Sequence, residues 1–135
     1  MKTNSKVLAS FLAAAVWADG EYNEMEQELV AEIGEALEVK NLTKELEAAI
    51  AETENMSGEE LADALEAAAK KVDAEEKEGI LTLCLQMLCA DAFLSIDEVD
   101  NFFAFADILG VDDDAAQAIL DEFIDEEEDL IIEEE

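Results

Sequence analysis

The sequence has no proline and only 5 glycines among its 135 residues, so it is poor in the residues that form tight turns and interrupt helices. A β-rich fold needs many such turns, whereas the abundant alanine, leucine and glutamate favour helices. Because 51% of the residues are hydrophobic, the high charge does not indicate disorder. The composition predicts an all-α protein in which a single domain encloses one hydrophobic core.

Histidine and arginine are absent too, which removes much of the usual chemistry of enzyme active sites. The sequence has no histidine to activate a nucleophile or complete a common zinc site, and no nucleophile elbow or phosphate-binding loop. Its two cysteines, Cys84 and Cys89, are five residues apart and would lie on different faces of a helix, which disfavours a disulfide or a metal pair. We therefore expect a protein that is not an enzyme, with free thiols suited to a reducing cytoplasm.

Basic residues are scarce: 7 lysines oppose 38 acidic residues, which gives a net charge of −31. No basic residue follows Lys77. Such a charge repels nucleic-acid phosphates and anionic membrane surfaces, and it attracts cations and basic protein surfaces. We expect no nucleic-acid binding and no membrane insertion, although the charge also suits a solubility trait of an acidic or salt-adapted proteome.

Capping-box sequences, in which Asn, Ser or Asp precedes Glu by three residues, mark several helix starts. They occur at Asn23–Glu26, Ser57–Glu60, Asp73–Glu76 and Ser95–Glu98, while Asp112 and either Asn41 or Thr43 are further candidate caps. With the apolar periodicity they predict seven helices, at about 4–18, 24–38, 43–53, 58–71, 74–90, 96–109 and 113–128. Residues 1–128 are expected to form the helical domain, and residues 129–135 an acidic tail that frays.

Two of these helices, 4–18 and 74–90, are apolar on nearly all sides and should lie at the centre. Neither reaches the roughly 20 apolar residues that span a bilayer. The apolar run of helix 4–18 has another interpretation. It resembles a secretory signal peptide, because it follows a lysine-bearing start and ends at Val16-Trp17-Ala18, a candidate cleavage site before Asp19.

An internal repeat favours the core helix over the signal peptide. When the chain is shifted by 72 residues, "WADGEYNEMEQELVAEIGEALEV" aligns without a gap on "CADAFLSIDEVDNFFAFADILGV". Each copy is an apolar helix, Ala-Asp, a short turn, a capping box and an amphipathic helix, which predicts a two-fold repeat of helix, acidic turn and helix. A signal-cleavage site does not belong in mid-chain, so we expect the first apolar run to remain in a cytoplasmic protein.

The repeated unit resembles the TerB family, which comprises tellurite-resistance TerB proteins and the amino-terminal domain of DjlA-type co-chaperones. The resemblance covers about residues 4–125 and is strongest at "WADGEYNEMEQELV". The second copy departs from the family pattern, with Ala92 where glycine is usual and Phe93 where an acid is usual. The resemblance implies a bundle of about seven helices, acidic residues that bind a divalent cation, and a role in stress responses that include tellurite resistance. Its functional positions map to Asp19, Gly20, Glu26, Asp91 and Glu98.

The residues themselves also suit a cation site. Asp19, Glu21 and Asn23 alternate as oxygen donors, Glu26 follows one helical turn later, and Asp91 and Glu98 are their counterparts in the second copy. Closely spaced oxygen donors suit Ca²⁺ or Mg²⁺, although the twelve-residue EF-hand series is absent. The alternative is structural: the aspartates stabilise turns, and the glutamates do no more than complete capping boxes.

Two functions therefore remain open from the sequence. The first is a non-enzymatic, stress-associated TerB-like protein that binds a divalent cation through its acidic turns. The second is an acidic interaction module that docks a basic partner, or mimics the charge of nucleic acid, without a specific ion.

Overall fold

The computed structural model describes residues 4–19, 24–39, 41–90, 93–127 and 130–132 of the chain. In these residues seven α-helices follow one another: α1 (Ser5–Asp19), α2 (Glu24–Ala36), α3 (Leu42–Thr53), α4 (Gly58–Ala69), α5 (Lys77–Leu88), α6 (Ile96–Leu109) and α7 (Asp113–Glu126). A short 3₁₀ helix (Ala74–Glu76) leads into α5, and two residue pairs form strands, β1 (Phe93–Leu94) and β2 (Ile131–Ile132). The predicted all-α class and the number of helices are confirmed.

Side chains at the helix starts explain where the helices begin. The Ser57 hydroxyl accepts a hydrogen bond from the Glu60 amide at 3.2 Å, and an Asp112 carboxylate oxygen accepts one from the Ala115 amide at 2.8 Å. Each bond gives a hydrogen-bond acceptor to an amide in the first turn, where the helix backbone provides none. Asn41 differs, because it adopts a left-handed conformation (φ 61°) and its side chain makes no capping bond to α3.

The two apolar helices, α1 and α5, form the centre of the structure, as expected. Leu8, Phe11 and Leu12 of α1 are completely buried, as are Ile80 and Leu85 of α5. Helix α1 packs against α3, α4, α5 and α6, so four elements cover its sides. Among the helices that the structure describes, none is long and apolar enough to cross a membrane.

Both cysteines are buried thiols of α5 and its C-cap, and no disulfide joins them. The Cys84 thiol lies 3.8 Å from the Phe11 carbonyl oxygen, to which it donates across the α1–α5 interface. Burial removes water from the thiolate and raises the Cys84 pKa from 9.0 to about 12. The thiol is therefore a core packing group.

We expect the Cys84 thiol of a Cys89→Ser variant to react with an aromatic disulfide reagent at pH 8 at least roughly a thousandfold more slowly in the native protein than in urea. The raised pKa alone lowers the thiolate fraction by about that factor, and burial blocks access as well. The Cys84→Ser variant is the matched control, because it reports Cys89 alone. Stoichiometric labelling of Cys84 in native buffer, faster than unfolding, would contradict a buried position.

The two strands pair residues 131 and 132 with the segment before α6. They are parallel, with Phe93 paired with Ile131 and Leu94 with Ile132. Leu94 is completely buried, whereas Ile131 is 63% exposed. The pairing gives residues 131 and 132 of the acidic tail a defined place, and the predicted domain boundary at residue 128 stays a prediction.

The helix starts agree with the 72-residue shift found in the sequence. Ser5 and Lys77 begin α1 and α5, and Glu24 and Ile96 begin α2 and α6. Residues 20–23 and 91–92, which lie between these helices, are outside the described residues, so only the positions of the helices are compared. The internal two-fold repeat stays a prediction.

Candidate functional site

Two glutamates, Glu26 and Glu98, are the buried charged side chains in the part of the chain that the structure describes. Glu26 is 0% exposed and Glu98 is 6% exposed. Each is the third residue of its helix, α2 or α6, and the two are 72 positions apart. The sequence analysis placed both at candidate cation sites, but it did not predict that they are buried.

Both glutamates occupy the first position of a buried helical stripe. In α2 the stripe continues through Val30 and Ile33, and in α6 the buried residues at the same spacing are Phe102, Phe105 and Leu109. Residues four and seven positions later lie on the same helix face, so an apolar residue would ordinarily fill the glutamate position. Burying a carboxylate is costly unless hydrogen bonds, an opposite charge or a metal ion compensate it.

Hydrogen bonds of a complete capping box hold Glu98. The Ser95 amide donates to Glu98 Oε1 at 3.0 Å, and the Glu98 amide donates to Ser95 Oγ at 3.1 Å. These bonds orient the carboxylate at the start of α6, directly after β1. The capping role predicted for Glu98 is confirmed.

The remaining predicted ligands lie outside the described side chains. The backbone of Asp19 ends α1, but its side chain, together with Glu21, Asn23 and Asp91, is among those that the structure does not describe. Among the described residues, no group of three or more His, Cys, Asp or Glu side chains is arranged to hold a metal ion. The structure thus positions Glu26 and Glu98, and the cation site stays a prediction.

Trp17 anchors the end of α1 next to the first acidic turn. Its indole Nε1 donates to Thr53 Oγ1 at 2.6 Å, and the Thr53 hydroxyl in turn donates to the Ala49 carbonyl at 2.8 Å. The ring remains 40% exposed. This bond joins the last turns of α1 and α3.

A groove of about 730 Å³ lies between α2, α5 and α7, and it was not foreseen from the sequence. Its lining is mainly apolar, with three glutamates and a glutamine among the lining residues. The residues are Met25, Glu28, Leu29, Glu32, Ile33, Ala36, Leu37, Leu83, Gln86, Cys89, Ala90, Phe123, Glu127 and Leu130. We call this feature the α2–α5–α7 groove. Its described lining residues include acidic side chains and no basic one.

Comparison with protein-family models, with curated proteins and with solved structures gives no match. The resemblance to the TerB family therefore rests on the residues quoted above and stays a prediction, and so do the functions that it implies.

Proposed function

We propose that the protein is a non-enzymatic, stress-associated, TerB-like cytoplasmic protein that binds a divalent cation through its acidic turns. The observation that carries this proposal is the burial of Glu26 and Glu98 at matching positions, each shortly after an Ala-Asp sequence. Two carboxyl groups held at the same place in two similar helix starts suit a role that requires oxygen donors in fixed positions.

The donor set fits a hard cation. Carboxylate and amide oxygens are the ligands that Ca²⁺ and Mg²⁺ take, and closely spaced donors on a turn can surround one ion. Asp19, Glu21, Asn23 and Glu26 supply four such side chains in the first copy, and Asp91 and Glu98 supply two in the second. A bound cation would weaken the mutual repulsion of the acidic turns.

Calorimetric titration with CaCl₂ and MgCl₂ at moderate monovalent salt tests the proposal. We expect the wild-type protein to bind one of these ions and the Asp19→Asn and Glu26→Gln variants to bind it at least about tenfold more weakly, because each loses a charged ligand. Moderate salt suppresses diffuse attraction to the acidic surface, whereas direct coordination is screened much less. Binding to the folded form alone should also stabilise it by about 2.7 kcal/mol at a hundredfold excess of ion over Kd.

Asp112→Asn is the matched control, since it removes one negative charge from a helix cap that the proposal does not use. If the wild-type protein and all three variants titrate alike, the turns have a structural role only, and the cation-binding function is wrong.

The second candidate function, an acidic module that docks a basic partner, is favoured by the α2–α5–α7 groove. The exposed acidic side chains Glu28, Glu32 and Glu127 accompany its apolar lining. Docking of this kind requires no ion, so the two candidate functions can be tested separately.

A further inference from the structure

We propose that the α2–α5–α7 groove binds a basic amphipathic helix of a partner protein, with the apolar face of that helix in the groove and its lysine or arginine residues against the acidic side chains. The inference rests on the second candidate function and gives it a location and a partner of defined chemistry. It does not depend on cation binding at the acidic turns.

Apolar side chains along one side of the groove form a row that is long enough to contact a docked helix. Met25, Leu29 and Ile33 of α2 recur every four residues, Leu37 directly after the helix continues this spacing, and all four line the groove. At a rise of 1.5 Å per residue this row is about 18 Å long, which matches roughly three turns of a docked helix. Apolar side chains at positions i, i+3 or i+4, and i+7 of a partner helix are the usual anchors in such a groove.

Part of this row is open to solvent. Met25 is 50% exposed, and Leu29 and Leu37 are only partly buried although they pack against the core. Leu83 of α5 and Phe123 of α7 are also partly buried and lie on the other sides of the groove. A flexible methionine beside aliphatic and aromatic groups is typical of surfaces that accept helices. The partner would remove these side chains from water.

The acidic side chains around the groove favour a basic partner. Glu28, Glu32 and Glu127 are exposed, and the lining residues include no lysine. Glu28 and Glu32 are four residues apart on α2, so one turn of a neighbouring helix can bring a basic side chain to each. An acidic helix would be repelled, and a neutral one would leave these carboxylates without a favourable contact.

The same charges disfavour a second copy of this chain as the occupant. Each copy carries a net charge of −31 and lines its groove with glutamates, and like charges that face each other across an interface are unfavourable. A basic partner, in contrast, gains from long-range attraction that steers its approach.

A synthetic peptide provides the test. The probe is a fluorescent 14-residue peptide of leucine and lysine with leucines on one helical face, measured by anisotropy at 0.15 M monovalent salt. A peptide of the same composition with scrambled order removes the apolar face, and a leucine–glutamate peptide keeps that face and reverses the charge. We expect the first peptide to bind at least about tenfold more tightly than either of the others.

Surface variants then locate the site. Glu28→Lys/Glu32→Lys should weaken binding of the basic peptide by about tenfold or more, because two attractive contacts become repulsive. Asp63→Lys/Glu66→Lys is the charge-matched control on the exposed face of α4, which does not line the groove, and it should change the affinity less than about threefold. Met25→Gln should also weaken binding, whereas Met56→Gln, at another exposed methionine, should not. Circular dichroism verifies that each variant is folded.

The outcomes distinguish a wrong location or partner from a wrong docking function. If both double variants weaken binding equally, the attraction is diffuse and the groove is not the site, although docking of a basic partner stands. If the leucine–glutamate peptide binds as well as the leucine–lysine peptide, the partner is not basic. If no basic peptide binds any form of the protein, the docking function itself is wrong. If sedimentation shows a dimer that Met25→Gln dissociates, a second copy occupies the groove and the inference is overturned.

Discussion

A chain that lacks residues 1–18 is expected not to fold. Helix α1 contributes nine buried side chains, from Val7 to Val16, and it packs against four other helices. Truncating one buried leucine or phenylalanine to alanine commonly costs about 2–5 kcal/mol, whereas a whole domain is stable by only about 5–15 kcal/mol. Loss of Leu8, Phe11 and Leu12 together would cost about 6–15 kcal/mol, which is as large as that whole stability. Far-UV circular dichroism and urea titration of the truncated chain measure the effect.

Two matched proteins make this result interpretable. The single variant Leu12→Ala should remain folded but lose about 2–5 kcal/mol of unfolding free energy, which tests the same helix without removing it. Deletion of residues 133–135 removes three acidic residues from the other end and should cost far less. Cooperative unfolding of the truncated chain at the wild-type urea midpoint would show that α1 is dispensable, and would favour the signal-peptide interpretation of the first 18 residues.

Phe102→Ala is expected to destabilise the protein by about 3–5 kcal/mol, and its neighbour Phe103→Ala by much less, about 1 kcal/mol. Phe102 is completely buried on the inner face of α6, whereas Phe103 is only partly buried. Their rings meet edge to face with centroids 5.3 Å apart, so each variant loses the same aromatic contact and the difference reports burial. The unfolding free energy from urea titration provides the comparison. Equal, small losses would show that Phe102 does not fill the core.

Much of the helical structure could be predicted because its causes are local. The helix at 96–109 was predicted to the residue, since Ser95 and Glu98 form a capping box and Gly110 ends the helix in a left-handed conformation (φ 81°). The predicted helix 74–90 begins instead as a short 3₁₀ helix, with the α-helix starting at Lys77. The Asp73 side chain accepts a hydrogen bond from the Glu75 amide and so caps the 3₁₀ helix. The sequence pattern does not distinguish such a tighter first turn from an α-helical one.

The features that could not be predicted depend on contacts between distant residues. The sequence placed Ile131 and Ile132 in an acidic tail that was expected to fray, but they pair with Phe93 and Leu94, almost forty positions earlier. The burial of Glu26 could not be predicted either, because a glutamate in the first turn of a helix usually lies at the surface and caps the helix. The α2–α5–α7 groove is formed by three helices whose relative placement no local pattern records.

The position of α1 has a consequence during synthesis of the chain. Helix α1 leaves the ribosome before the helices that cover it, because α3, α4, α5 and α6 all follow it in the chain. About 70 residues separate the end of α1 at Asp19 from the end of α5 at Leu88, which corresponds to roughly 4–14 s of translation at 5–20 residues per second. During that time α3 and α4 can already cover part of α1, but its apolar surface that packs against α5 stays exposed on the nascent chain, so a ribosome-associated chaperone would bind there before the core can close.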